Sequence, residues 1–265
     1  MIILHKPFNK IWENKDPFEE INKLTGEVYR AVATRRTIQF EINGESFYLK
    51  FHQGITYKEF LKNIFSFRIP VLGAKNEWRA IHRLTKNGVD TMEGVAFGEK
   101  GINPIKKHSF IITRDLSPTI SLEDFCANWK NSPPTYIVKK ALIIRVASMV
   151  RKMHDCGINH RDCYICHFLL HQPFDDAKNF KISVIDLHRA QIRKSVPLRW
   201  RNKDLVALYY SCLNIGLSMR DYLLFLKVYF KGQKLRDIFI NEKDFLDSIQ
   251  VKAEKIRERT IRKGL

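Results

Sequence analysis

Two aspartates carry the strongest chemical signal in the sequence. Asp162 lies in Asn159-His160-Arg161-Asp162-Cys163-Tyr164-Ile165-Cys166-His167-Phe168-Leu169-Leu170, and Asp186 in Val184-Ile185-Asp186-Leu187-His188. A carboxylate in a polar loop can orient a substrate hydroxyl and accept its proton, and a second at the end of a strand can hold magnesium against phosphate oxygens. Upstream, Lys50 offers a cation to neutralise phosphate charge, and Glu77 a carboxylate to hold that cation in place. His167 stands where a further metal-ligating side chain is expected after the loop aspartate. Strand lysine, helix carboxylate, loop aspartate and strand-end aspartate, in that chain order, are the parts of phosphoryl transfer. A lysine or glutamate alone is ordinarily a solvated surface residue; the joint order carries the assignment.

The surrounding pattern predicts elements that position these groups. Thr37–Ile42 alternates, Asn43-Gly44 signals a tight hairpin, and Ser46–His52 alternates again, with Lys50 on its polar face. A helix is predicted over Ala74–Asn87, capped by Gly88, with Trp78, Ile81 and Leu84 on its apolar face and Glu77 at the border. Ser109–Thr113 reads as an apolar strand and Arg114–Pro118 as a connector. Ser121-Leu122 opens a helix and Asn131–Pro134 breaks the chain. A long amphipathic helix is predicted from Val138 to Asp155, ahead of Gly157. Phe180–Ile185 reads as a strand, Asp204–Asn214 as a helix, and Val251–Lys263 as a basic helix. The pattern predicts an α+β chain with a strand-rich front, 1–115, and a helix-rich back, 116–265.

Composition narrows the class. Among 265 residues, Lys and Arg total 46 against 28 Asp and Glu, a formal net charge of +18. So basic a chain is expected to meet something anionic. Five Cys, an odd number, argue against a disulfide framework. The start, MIILHKPFNK, is too short in apolar residues for an export signal, and Arg145 interrupts the run Ala141–Val150, so neither secretion nor a membrane span is expected. No base-stacking, zinc-finger or helix-turn-helix signature points to nucleic acid. Cys163-Tyr164-Ile165-Cys166-His167 also matches a c-type haem attachment pattern, but without an export signal or a second axial ligand. Zinc on Cys163, Cys166, His167 and His171 would crowd its ligands into nine residues. Buried packing cysteines around a catalytic loop are the preferred reading.

At these same strings the chain resembles the lipopolysaccharide core heptose(I) kinases of Gram-negative bacteria. The likeness rests on Asn159–Leu170, Ser183–Ile192, Arg199–Leu205, Ile69–Ala74 and Asp16-Pro17-Phe18, and runs from about residue 7 to the C-terminus. It implies a two-lobed protein-kinase-like fold, with an N-lobe sheet and a mainly helical C-lobe, and ATP- and magnesium-dependent phosphorylation of the first inner-core heptose at its 4-hydroxyl. The acceptor would be a lipid A-linked glycan on the cytoplasmic face of the inner membrane, an anionic surface. Carried over by residue, Asp162 is the catalytic Asp, with His160 in its loop; Asp186 is the metal ligand; Lys50 and Glu77 are the phosphate lysine and its partner. Asp204 braces the loop, and Thr113, Arg114, Asp115 and Leu116 form the adenine-binding hinge through their backbone. Family members are associated with acyl carrier protein, and the resemblance implies it as a partner here.

Departures from general protein kinases are visible. His167 replaces the usual Asn, Asp186-Leu187-His188 lacks the usual Phe and Gly, and no Ala-Pro-Glu follows. No glycine-rich loop lies between Val28 and Thr37; Arg35 and Arg36 are the candidate phosphate cations at that tip. Lys58–Arg68, aromatic and basic, is a candidate membrane or acyl contact. The alternatives are a protein tyrosine or serine kinase, disfavoured by the missing activation segment, and a non-catalytic kinase-shaped binding protein. The latter would be expected to have lost Lys50, Asp162 or Asp186.

Overall fold

The computed structural model describes residues 1–32, 34–54, 73–103 and 107–262, so the Lys58–Arg68 stretch and most of Ile69–Ala74 lie outside the described residues. The chain divides into two compact units. One comprises Met1–His82, Met92–Leu116 and Leu187–Arg189; the other comprises Arg83–Thr91, Ser117–Asp186 and Ala190–Leu265. The division is therefore more interleaved than a single cut after residue 115.

The first unit is built on a six-stranded antiparallel sheet ordered β1-β5-β6-β4-β3-β2. Its strands are β1 (Ile2–Leu4), β2 (Glu27–Val32), β3 (Arg35–Ile42), β4 (Glu45–Gln53), β5 (Gly94–Lys100) and β6 (His108–Arg114). Asn43 and Gly44 have φ of 54° and 77°, the paired left-handed residues that a two-residue hairpin needs to match strand twist. That turn fixes the register, which sets Lys50 opposite Thr37 and Leu49 opposite Ile38. Alternation then buries Ile38, Phe40, Phe47, Leu49 and Phe51 on one face, against Phe8, Trp12, Phe18 and Ile21. The last four come from α1 (Phe8–Ile11), α2 (Pro17–Lys23) and the turn between them. Asp16 caps α2 by accepting from the Phe18 amide at 2.8 Å, with Pro17 in the first turn.

Helix α3 (Lys75–Lys86) forms where expected. It ends in a Schellman motif: Val89 N–H reaches Leu84 O at 3.0 Å, Gly88 N–H reaches Thr85 O at 3.1 Å, and Gly88 has φ +66°. Trp78 stacks on Phe97 and lies so close to Gly94 that a Cβ there would sit 2.7 Å from its ring.

The second unit is mainly helical: α4 (Leu122–Cys126), α5 (Tyr136–Asp155), α6 (Leu198–Ser211), α7 (Met219–Tyr229), α8 (Leu235–Asn241) and α9 (Lys243–Arg262). Helix α5 buries Leu142, Val146, Met149, Val150 and Met153 at helical spacing. Two small sheets accompany the helices. One joins β7 (Thr119–Ser121), β9 (Phe168–His171) and β10 (Ile182–Val184); the other joins β8 (Ile158–Asn159) and β11 (Gln191–Ile192). Asp162 lies between β8 and β9, and Asp186 between β10 and β11. Because β9 pairs with β10 and β8 with β11, both loops are clamped at both ends.

Three boundaries differ from the sequence expectation. The strand expected over Phe180–Ile185 contracts to Ile182–Val184, helix α5 begins two residues early at Tyr136, and α6 begins at Leu198, so Asp204 lies in its second turn rather than opening it. Thr135 caps α5 through the Val138 amide, and Pro197 precedes α6, where its fixed φ suits a helix start. Among the described residues, no helix is long and apolar enough to cross a membrane.

Candidate active site

In the first unit, strand alternation turns Lys50 away from the packed face, and its Nζ meets Glu77 Oε1 at 2.6 Å. The lysine side chain is 14% exposed and the glutamate 1%. A pair so enclosed is costly to break, since either partner alone would be a buried, uncompensated charge. Glu77 Oε2 has no hydrogen-bond partner among the described residues, so the carboxylate faces its lysine through one oxygen.

Arg35 shares the Lys50 face, opposite His52, whereas Arg36 falls on the packed face and donates to Leu24 O at 2.6 Å. The structure thus separates the two arginines that the sequence grouped. His52 was not anticipated. Burial, with Arg35, Lys50 and His188 adding positive charge, pulls its pKa down to about 3, so it adds no competing cation beside Lys50. At the expected hinge, Thr113 is buried and Arg114 pairs with Glu45 and Glu93. The amides of Arg114 and Asp115 donate to Glu93 O and Ser46 O, each at 2.9 Å. The Asp115 carboxylate accepts from Gln39 at 2.9 Å, and Leu116 closes this unit.

In the second unit, Asp204 organises the loop. It is fully buried, and its two oxygens accept from the amides of His160 at 2.6 Å and Arg161 at 2.8 Å and from His154 Nε2 at 3.2 Å. His154 Nδ1 in turn accepts from the Tyr229 hydroxyl at 2.7 Å. The clamp fixes the backbone immediately before Asp162, where Arg161 adopts φ +74°, a conformation bulky residues hold only under such restraint. His160 Nε2–H donates to Ile185 O at 2.9 Å, next to Asp186, tying one loop to the other.

His167 completes the link. Its Nδ1 lies 2.7 Å from Asp162 O. A carbonyl only accepts, so Nδ1 carries the hydrogen toward Asp162 O, and Nε2 lies 3.8 Å from Asp186 Oδ2. That gap is too long for a hydrogen bond. The rings of His160 and His167 stack at 5.4 Å, and Ile185 N–H donates to His167 O at 2.9 Å. Asp186 has φ +60°, which Asp tolerates better than most residues. Among the described residues no cluster of three or more metal-ligating side chains exists. The donor set here is one carboxylate with an imidazole beside it, suited to a cation whose remaining ligands come from phosphate or water.

Cys163 is completely buried and its thiol is pushed well up by burial; Cys166 is half-buried and raised to about 11 by the same cause. Both are protonated thiols in packing positions. Sequence reasoning missed His154 and Tyr229. The available signal was that His154 falls one residue after Met153 on the buried face of α5.

Within the first unit the structure brings Lys50 and Glu77 together, and within the second Asp162, His160, His167, Asp186 and Asp204. The profile of the Lipopolysaccharide kinase (Kdo/WaaP) family matches residues 19–229. Over its full length the chain is 60% identical to the lipopolysaccharide core heptose(I) kinase WaaP of Escherichia coli K12, also covering all of that protein. It is 50% identical to WaaP of Pseudomonas aeruginosa, covering 99% of this chain and 98% of that one. A solved structure described as WaaP in complex with acyl carrier protein superposes with a TM-score of 0.86 at 47% identity, over 96% of this chain and 98% of that one. With its fold and its two clamped loops, the chain belongs to the lipopolysaccharide kinase (Kdo/WaaP) family.

Proposed function

We propose that this protein transfers phosphate from ATP to the 4-hydroxyl of the first heptose of the lipopolysaccharide inner core. The observation that carries the reading is the Asp204 clamp on the His160 and Arg161 amides just before Asp162, in a chain that aligns end to end with heptose(I) kinases.

Asp162 orients the heptose hydroxyl and accepts its proton as the phosphoryl group is transferred. Lys50, held by Glu77, neutralises phosphate charge, and Arg35 on the same face adds to it. Asp186 is the residue that would hold magnesium, which supplies charge neutralisation of the phosphates when bound. His167 holds the Asp162 carbonyl through Nδ1 and offers Nε2 on the Asp186 side; magnesium prefers oxygen, so the carboxylate is the principal ligand. The backbone of Thr113–Leu116 is the proposed adenine contact.

The +18 charge suits an acidic glycan at an anionic cytoplasmic leaflet. We place the protein there as a peripheral enzyme, with acyl carrier protein as a second partner. Two features support that partner. The solved relative is described as a complex with it, and the second unit holds an apolar cavity of about 280 Å³, lined by Leu142, Leu208, Phe225, Leu226, Phe245 and neighbouring side chains. An acyl chain buried in such a cavity gains about 0.8 kcal/mol per CH₂ at any salt concentration, so an acylated acidic partner should survive purification in high salt. The kinase reading is tested by radiolabelled transfer from ATP to lipopolysaccharide lacking core phosphate, with and without magnesium. Label should enter the saccharide only with magnesium present, and absence of label with the folded protein would refute it.

A further inference from the structure

A second group of charges surrounds one aromatic ring on the same unit as Asp162. The Trp200 ring centroid lies 5.9 Å from the Arg161 guanidinium, 5.6 Å from that of Arg193, 5.4 Å from that of Arg199 and 4.4 Å from Lys203 Nζ. Significant cation–π contacts occur about once per 70–80 residues, so four on one indole is a concentration of charge rather than chance. Arg193, Arg199 and Lys203 make no ion pair with any described residue. Arg193 is pinned by neutral acceptors, Asn159 Oδ1 at 2.6 Å and Gln191 Oε1 at 2.7 Å, which leaves its charge uncompensated. Arg199 and Lys203 are exposed. The Lys203 pKa is lowered, first by partial burial and then by Arg199, Arg161 and Arg259, which adds a cation from α9 to the field. Like charges held this close repel, and a bound polyanion relieves that cost.

We propose that Arg161, Arg193, Arg199 and Lys203, gathered around Trp200, form a subsite for acidic groups of the saccharide acceptor. The assignment rests on the lipopolysaccharide-kinase reading. Its placement favours the acceptor over a lipid headgroup or an acidic protein. Arg161 directly precedes Asp162, and Arg193 is hydrogen-bonded to Asn159 at the start of the same loop. An anion held there is tied through covalent structure to the residue that must meet the heptose hydroxyl. Guanidinium groups suit carboxylates because they donate two parallel hydrogen bonds.

The test uses the full chain and the double variant Arg199→Ala/Lys203→Ala, with Lys203→Arg as the conservative control. Calorimetry measures binding of delipidated inner-core oligosaccharide, and steady-state assays separate the acceptor KM from the ATP KM. The double variant should weaken oligosaccharide binding and raise the acceptor KM by about tenfold or more, since one such charged contact is worth on the order of that factor. The ATP KM should be unmoved and the melting temperature should not fall, since the variant loses like-charge repulsion, and Lys203→Arg should retain affinity. Unchanged oligosaccharide affinity in the double variant overturns the subsite. So does a loss confined to co-sedimentation with anionic vesicles, or to retention of a co-purifying acidic protein. Oligosaccharide binding that depends on the patch, without phosphate transfer in the wild type, upholds the subsite and refutes the kinase reading instead.

Discussion

Replacing Asp204 by Asn removes a charge while keeping shape, and the structure sets the size of the effect. Asp204 is fully buried and accepts three bonds, at 2.6, 2.8 and 3.2 Å. An amide has one oxygen. In its better orientation it keeps the His160 amide and His154 and turns its NH₂ toward the Arg161 amide. At least one buried N–H then loses its partner, at about 1–3 kcal/mol, and the two remaining bonds lose a charged acceptor. The sum is about 2–4 kcal/mol. At about 2–4 °C per kcal/mol for a domain of this size, the melting temperature should fall on the order of 10 °C, and Asp204→Ala should fall further. The lost bond lies one residue from Asp162, so kcat measured at 20 °C, where the variant remains folded, should drop by about tenfold or more while the ATP KM stays put. Differential scanning calorimetry and initial-rate assays read the two effects. A variant within about 2 °C of wild type with unchanged kcat would refute the clamp as the device that positions Asp162.

Asp162→Ala should remove about 10²–10⁴-fold of turnover, the usual contribution of a proton acceptor, with circular dichroism and melting temperature preserved; wild-type rates in the folded variant would contradict its role. Asp186→Asn should weaken magnesium-dependent nucleotide binding more than His167→Ala does, as measured by thermal shift across a magnesium titration; equal losses would make His167 a ligand of equal weight. His52 supplies a pH test. Its folded pKa is depressed to about 3, so between there and the unfolded value near ~6.5 the unfolded chain binds a proton that the fold refuses. Stability is therefore full above that window and falls as pH drops through it, by on the order of 3 kcal/mol at pH 4. His52→Gln should flatten the acid limb of stability against pH, and an unchanged limb would assign it to other groups.

Local rules made the sheet hairpin and the glutamate helix readable: Asn43-Gly44 sets the register that presents Lys50, and Trp78, Ile81 and Gly88 define the face and end of α3. The Asp186 loop was readable from the strand expected before it, and the Asp162 loop from its His-Arg-Asp string after the long helix; the short strands β8, β9 and β11 that clamp them were not expected. What local rules could not show was long-range. Nothing near Asp204 reveals that its carboxylate reaches the amides of His160 and Arg161, more than 40 positions earlier, or that His154 and Tyr229 complete that buried network. The start of α6 was missed because charged Arg199, Arg201 and Lys203 mask the helical period. Separating Arg35 from Arg36 required the strand register, since adjacent residues on a strand face opposite ways. The charge total pointed to an anionic partner without placing it; Arg199 and Lys203 neighbour Trp200 on one helix, but that Arg161 and Arg193 join them is a tertiary fact.

The central claim is that Asp162, on its Asp204-clamped loop, directs phosphate to a single heptose hydroxyl. The most direct measurement is phosphorus–proton correlation NMR on inner-core oligosaccharide recovered after reaction with ATP and magnesium. One new phosphomonoester is expected, coupled to the proton at position 4 of the first heptose and absent from the Asp162→Ala reaction. Phosphate on another sugar, on several hydroxyls, or formed equally by Asp162→Ala would contradict it.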